Sequence, residues 1–206
     1  TEITLRVCPL PAAQQTFVID CTAVGMSRQI AALANLPTRP AAIEASPIAG
    51  KIWIRFDAPE SALPALAKSI EPMAAQPLTA PAAAAIWADL REFHWASSEG
   101  ALLKIPAGLG ALDRLRAVID SSDGTLDWHI SLGGDVVYIA VPDLAAEALR
   151  GKLTETGFAV QTIRGSGPRL LLPHPLPQIV HDLKTCFDPD GRLAAVPGTV
   201  RETTGV

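Results

Sequence analysis

Polar and apolar residues alternate along Thr1-Glu2-Ile3-Thr4-Leu5-Arg6-Val7-Cys8, which predicts a strand over residues 3–8. Pro9 and Pro11 break it, and residues 16–20 form the next strand. Ile30, Leu33, Ala34 and Leu36 then recur at helical spacing and stop before Pro37 and Pro40. Residues 41–45 make a weak strand. Residues 51–57, Lys-Ile-Trp-Ile-Arg-Phe-Asp, make a strong one, because β-branched and aromatic side chains suit a pleated surface. Pro59 and Glu60 open a helix that reaches Ile70.

The second half is punctuated more sharply. A helix is predicted over 82–93, a strand over 101–105 and a helix over 109–119, with a turn at Ser121-Ser122-Asp123-Gly124. Strands 125–132 and 135–141 flank Gly133-Gly134, a pair suited to the positive φ angles of a tight hairpin. Pro142 starts a helix to about Thr154, residues 158–163 form a last strand, residues 164–169 a Gly-rich loop, and residues 179–186 a C-terminal helix.

Residues 101–163 therefore read β-α-β-β-α-β, and residues 16–79 can be read the same way. A shift of 84 residues lays Gly50 on Gly134 and Ile52–Phe56 on Val136–Ala140. The expectation is an α+β chain of duplicated ferredoxin-like βαββαβ units, its antiparallel sheet carrying helices on one face. The divisions are residues 1–80 (first repeat with the N-terminal strand), 81–100 (linker helix), 101–165 (second repeat) and 166–206 (helix and tail).

Composition narrows the class without naming a function. The 206 residues hold 17 Lys+Arg and 21 Asp+Glu, a formal charge of -4, whereas a nucleic-acid surface needs a basic stripe. Only 18% of residues are charged, below the roughly 25% usual for soluble domains, and mean hydropathy is +0.26. Part of this surface is expected to meet a partner. The longest uncharged stretch, residues 72–88, is broken by Pro72, Pro77 and Pro81, so no transmembrane segment is expected. The N-terminus has no basic and apolar leader pattern, as though the chain starts inside a fold. Cys8, Cys21 and Cys186 lack metal or redox spacing, the usage of a reduced, cytoplasmic protein. His94, His129, His174 and His181 form no i, i+3 or i, i+4 pair, so no metal is expected. Phosphate-loop, zinc-protease and serine-esterase signatures are missing, and Gly165-Ser166-Gly167 lacks the Lys and helix of a phosphate loop.

With Gly133-Gly134 as the turn, Asp127, His129 and Tyr138 share one face, and Leu126, Trp128, Ile130, Val137 and Ile139 the other. The first set could bind an anionic or hydroxylated ligand, or could be a solvated outer face. Arg55 and Lys104 are cations inside apolar strands, placed to meet a ligand carboxylate or to snorkel at a sheet edge. Arg55, Lys104, His129 and Tyr138 are thus the candidate substrate-binding residues; no catalytic residue is assigned. The 84-residue offset places Arg55 on the face of Ile139, so its side is open.

The C-terminal segment His181-Asp182-Leu183-Lys184-Thr185-Cys186-Phe187-Asp188-Pro189-Asp190-Gly191-Arg192-Leu193 resembles the ending of FAD-linked oxidases of the vanillyl-alcohol oxidase superfamily, K-x-x-F-D-P-x-G-x-L-N-P-G. Lys184, Phe187, Asp188, Pro189, Gly191 and Leu193 match in order; Ala194-Ala195-Val196-Pro197-Gly198 departs from Asn-Pro-Gly by one added residue. Phe187 reads as an anchor, Pro189 as a helix stop and Gly191 as a turn. The strand from Ile3 to Cys8, Ile52-Trp53-Ile54-Arg55-Phe56, Leu102-Leu103-Lys104-Ile105-Pro106 and Asp127-Trp128 are similar to segments of one branch, the FAD-binding subunits of glycolate oxidases. The adjacent histidines of the metal motif in related branches are missing.

The resemblance implies a C-terminal cap that covers the flavin ring and shapes the substrate site of an FAD-dependent oxidase or dehydrogenase of small 2-hydroxy acids such as glycolate. Its partners would be an N-terminal FAD-binding domain outside this chain and other subunits of a glycolate oxidase-like complex, cytoplasmic and peripheral to the inner membrane. FAD is then a cofactor of the full-length enzyme, and the isolated chain is expected to be colourless and inactive, since no segment offers the phosphates a convincing loop. The competing class is a stand-alone ferredoxin-like module that binds a small molecule or dimerises without catalysis.

Overall fold

Residues 11–122, 126–174 and 178–192 are described by a computed structural model, an α+β fold whose nine strands pair in antiparallel fashion. The strand expected at 3–8, Asp123 and Gly124 of the expected turn, Thr125 of the strand expected at 125–132 and the segment from Leu193 onward lie outside the described residues. The chain divides into two units: one runs to His94 and includes Ile130–Gly134, and the other takes Trp95–His129 and the chain from Asp135 onward.

The first unit comprises β1 (Ala13–Asp20), α1 (Met26–Ala34), β2 (Ala42–Ser46), β3 (Lys51–Ala58), a 3-10 turn (Glu60–Ala62), α2 (Leu63–Ile70), β4 (Gln76–Pro77) and α3 (Ala80–Arg91). Its strands pair in the order β4-β1-β3-β2, with Phe17 opposite Ile54 and Ile43 opposite Ile54 on the other side. Phe17, Ile19, Ile52, Ile54 and Phe56 are buried, as are Met26, Ile30 and Leu33 of α1 and Leu66 and Ile70 of α2. Phe17 meets Phe56 edge-on, ring centroids 6.1 Å apart. Each such side chain contributes about 1.5–3 kcal/mol by leaving water, so this layer holds the unit together.

Helices do not keep to one face. Strand alternation sends Thr16 and Arg55, directly paired, to the side opposite Phe17 and Ile54, and there Trp87 of α3 donates its Nε1–H to Thr16 Oγ1 at 2.9 Å. The one-face expectation fails because α3 is alanine-rich with no buried residue, so its sequence shows no stripe to betray which side it covers. Thr79 caps α3, its Oγ1 accepting from Ala82 N, and Pro81 occupies the first turn.

The same alternation shows which way Arg55 points: it faces away from the buried Ile54 and Phe56. In β3 the buried positions are Ile52, Ile54 and Phe56, whereas the fully buried residues of the strand at 136–141 include Val137 and Ile139, one place beyond the glycine alignment. A one-residue slip exchanges the faces of a strand.

The second unit contains β5 (Ala101–Pro106), a 3-10 turn (Leu109–Ala111), α4 (Leu112–Asp120), β6 (Asp127–Ser131), β7 (Val136–Val141), α5 (Asp143–Glu155), β8 (Val160–Arg164), β9 (Leu170–Leu171) and α6 (Gln178–Phe187). Its strand order is β6-β7-β5-β8-β9. The last residues of β6 fall in the first unit, where Ile130 pairs with Ala45. The turn at Leu132–Gly134 is wider than the two-glycine hairpin expected: Leu132 also takes a positive φ of 53° and is 66% exposed. Glu44 Oε1 holds it, accepting from Ser131 Oγ at 2.8 Å and Leu132 N at 3.3 Å. Leu112, Leu115, Val118 and Ile119 of α4 and Ala146, Leu149 and Leu153 of α5 supply the helical side of the core.

Candidate functional site

β5 and β7 bury Leu103, Ile105, Val137 and Ile139, which leaves Lys104 and Tyr138 on the opposite face. Lys104 stands opposite Tyr138 in the ladder, and opposite Gln161 of β8 on its other side. Paired residues of antiparallel strands have Cβ atoms about 4.5–5.5 Å apart, within reach of one small ligand. Both side chains are half-buried and Gln161 is exposed. Lys104 makes no ion pair among the described residues, so a cation and a phenol share a partly dry surface that suits a carboxylate or hydroxyl.

His129 is not on a solvated face. It is 3% exposed, and the indole of Trp95 lies over its ring with centroids 5.5 Å apart and planes tilted by 32°. Trp95 and the buried Ala96 stand just ahead of β5, and this short segment has no periodicity from which its cover could be read. Asp127 is exposed at the start of β6, while Leu126, Trp128, Ile130, Val137 and Ile139 are all buried, as the alternation requires.

Arg55 belongs to the first unit. Its Nε lies 3.0 Å from Asp57 Oδ1, and its guanidinium sits 5.3 Å from the Trp87 ring centroid. Lys104, His129 and Tyr138 belong to the second.

The C-terminal segment explains its own residue types. Asp188, 8% exposed, accepts from Lys184 Nζ and from Arg192 N (2.7 Å), while its own N–H closes the helix on Lys184 O at 2.9 Å. Gly191 turns the chain at φ 65° and donates to Asp188 O. Phe187, expected as an anchor, is instead 79% exposed, and Leu183 one turn earlier is exposed too.

No protein-family model matches the chain, and no curated protein matches it.

Among the described residues no His, Cys, Asp and Glu group of three or more could hold a metal ion, and no helix is long and apolar enough to cross a membrane. Burial pushes the Cys21 thiol up, and its Sγ lies 3.8 Å from Gln29 Oε1. At the surface, a hydrogen bond from Arg91 holds the Glu92 carboxyl below its ordinary range.

Proposed function

We propose that this chain is the cap domain of an FAD-dependent oxidase or dehydrogenase of small 2-hydroxy acids, and that its outer sheet face covers the flavin ring. The observation that carries the reading is the C-terminal turn. Lys184, Asp188 and Gly191 stabilise a helix stop that turns Phe187 and Leu183 outward, as a part of a larger protein would present a contact. Pairing of Lys104 with Tyr138 gives that face a fixed cation for the substrate carboxylate and a phenol for its hydroxyl. His129, held under Trp95, positions this surface rather than meeting substrate openly.

The finer architectural reading is that each unit is a ferredoxin-like βαββαβ repeat. It is supported by equal strand orders, β4-β1-β3-β2 in one and β8-β5-β7-β6 in the other, with α1 and α2 within the first run of strands and α4 and α5 within the second. FAD, an N-terminal flavin domain and further subunits of a cytoplasmic, glycolate oxidase-like complex belong to the same proposal. FAD supplies the hydride acceptor when bound; Lys104 and Tyr138 bind and orient the acid.

The test begins with the coding sequence ahead of Thr1, which should encode a flavin domain. The joined protein should carry FAD and reduce a dye when given glycolate or a close 2-hydroxy acid. A start codon adjoining Thr1, with no flavin domain in the same operon, would sink the reading. It would favour the alternative, a stand-alone ligand-binding or dimerisation module.

A further inference from the structure

Between α3 and the outer face of β1 and β3, wholly within the first unit, lies a cleft of about 360 Å³, within the usual size range of small-molecule sites. Thr16 and Arg55 line its sheet side; Ala83, Ala84, Trp87 and Ala88 line its helix side, and Arg91 joins the wall. Its lining carries two cations and no carboxylate.

Arg55 is the unusual member. Asp57 balances its charge, with Nε to Oδ1 at 3.0 Å, yet Nε is buried without a hydrogen bond, and no N–H of this guanidinium donates one among the described residues. Trp87 covers the cation, and the indole N–H is already committed to the buried Thr16 hydroxyl. Directional donors without acceptors beside apolar walls favour a ligand that brings an acceptor pair in one plane. A carboxylate fits the guanidinium fork, and the alanines of α3 leave room for an apolar body where larger side chains would fill the gap.

We propose that this cleft binds a small apolar monocarboxylate, its carboxylate on Arg55 and its hydrocarbon body between Trp87 and the alanines of α3. The cleft is distinct from the Lys104 and Tyr138 face of the proposed function, which stands in the second unit; Arg55, a candidate substrate residue in the sequence, is here given a ligand of its own.

The probe is benzoate, titrated into the full chain while the Trp87 indole N–H is followed by NMR, the signal assigned by its loss in Trp87→Phe. Benzoate should shift this signal saturably, whereas benzyl alcohol, of similar shape but uncharged, and inorganic phosphate, charged but without an apolar body, should leave it in place. Arg55→Lys, which keeps the charge and loses the fork, should weaken benzoate at least tenfold. An unmoved Trp87 signal, an equal response to benzyl alcohol or phosphate, or unchanged affinity in a folded Arg55→Lys protein would overturn the proposal. The three-ligand comparison on the unaltered chain decides it even if the variant fails to fold.

Discussion

Trp95 covers His129, their ring centroids 5.5 Å apart, and the imidazole is left only 3% exposed. Trp95→Ala should therefore expose the ring and destabilise the chain by about 2–4 kcal/mol, the range of large-to-small substitutions at buried aromatics, lowered because Trp95 is itself half-exposed. Urea unfolding of Trp95→Ala, His129→Ala and the double variant should give a coupling of about 0.5–1.5 kcal/mol. Strictly additive losses would mean that the two rings merely adjoin.

At the hairpin, Leu132 holds a positive φ that costs an L-residue roughly 1 kcal/mol, and it is largely exposed. Leu132→Gly should accordingly be more stable than Leu132→Ala by about 1 kcal/mol, although glycine is ordinarily the worse residue. Equal urea midpoints would show that the turn relaxes once the side chain is cut.

Asp188 accepts both the Lys184 ammonium and the Arg192 amide. Asp188→Ala should fray the end of α6 at a cost of about 1–3 kcal/mol, with faster hydrogen exchange confined to residues near 184–192. Asp188→Asn keeps one acceptor and should lie between the two.

Burial favours the neutral thiol of Cys21, whereas Cys186 is exposed. A thiol pKa raised on folding stabilises the protein below the unfolded thiol's pKa, and that contribution fades as pH rises through the folded value. Mild alkylation near pH 8 should label Cys186 ahead of Cys21, as peptide mapping would show, with Cys21 catching up as the solution is made more alkaline.

On the proposal that the chain caps a flavoenzyme, Lys104→Met in the joined protein should raise KM for the 2-hydroxy acid at least tenfold, about 1.4 kcal/mol of binding, while Tyr138→Phe should act chiefly on the hydroxyl end. If both variants keep flavin and ordinary kinetics, the acid is held elsewhere.

Much of this fold is written as periodicity. Alternation places β3, apolar runs place β5 and β7, and Pro142 with Gly157 brackets α5. The two-residue strands β4 and β9 are too short to have a period, so pairing rather than sequence defines them. The glycine turn set the faces of β6 and β7, and even there the turn took in Leu132; the pairing of Lys104 with Tyr138 was not legible, because α4 and β6 separate β5 from β7 and no hairpin fixes their register. Trp95 over His129 and α3 over Arg55 are contacts between segments distant in sequence, and neither tryptophan sits in a pattern that names its partner. The Arg55 face was lost by a single-residue offset, the smallest error that reverses a strand.

The absence of any buried residue in α3 has a consequence for motion. Alanine gives this segment a high intrinsic helix propensity, so it needs little help from the sheet to keep its shape, and the Trp87–Thr16 hydrogen bond is its most specific anchor. Local opening should therefore release α3 as a formed helix while β1 and β3 stay paired, a low-energy partial unfolding whose amides exchange well before those of β3. Entry to the cleft would then be timed by one indole letting go of one hydroxyl.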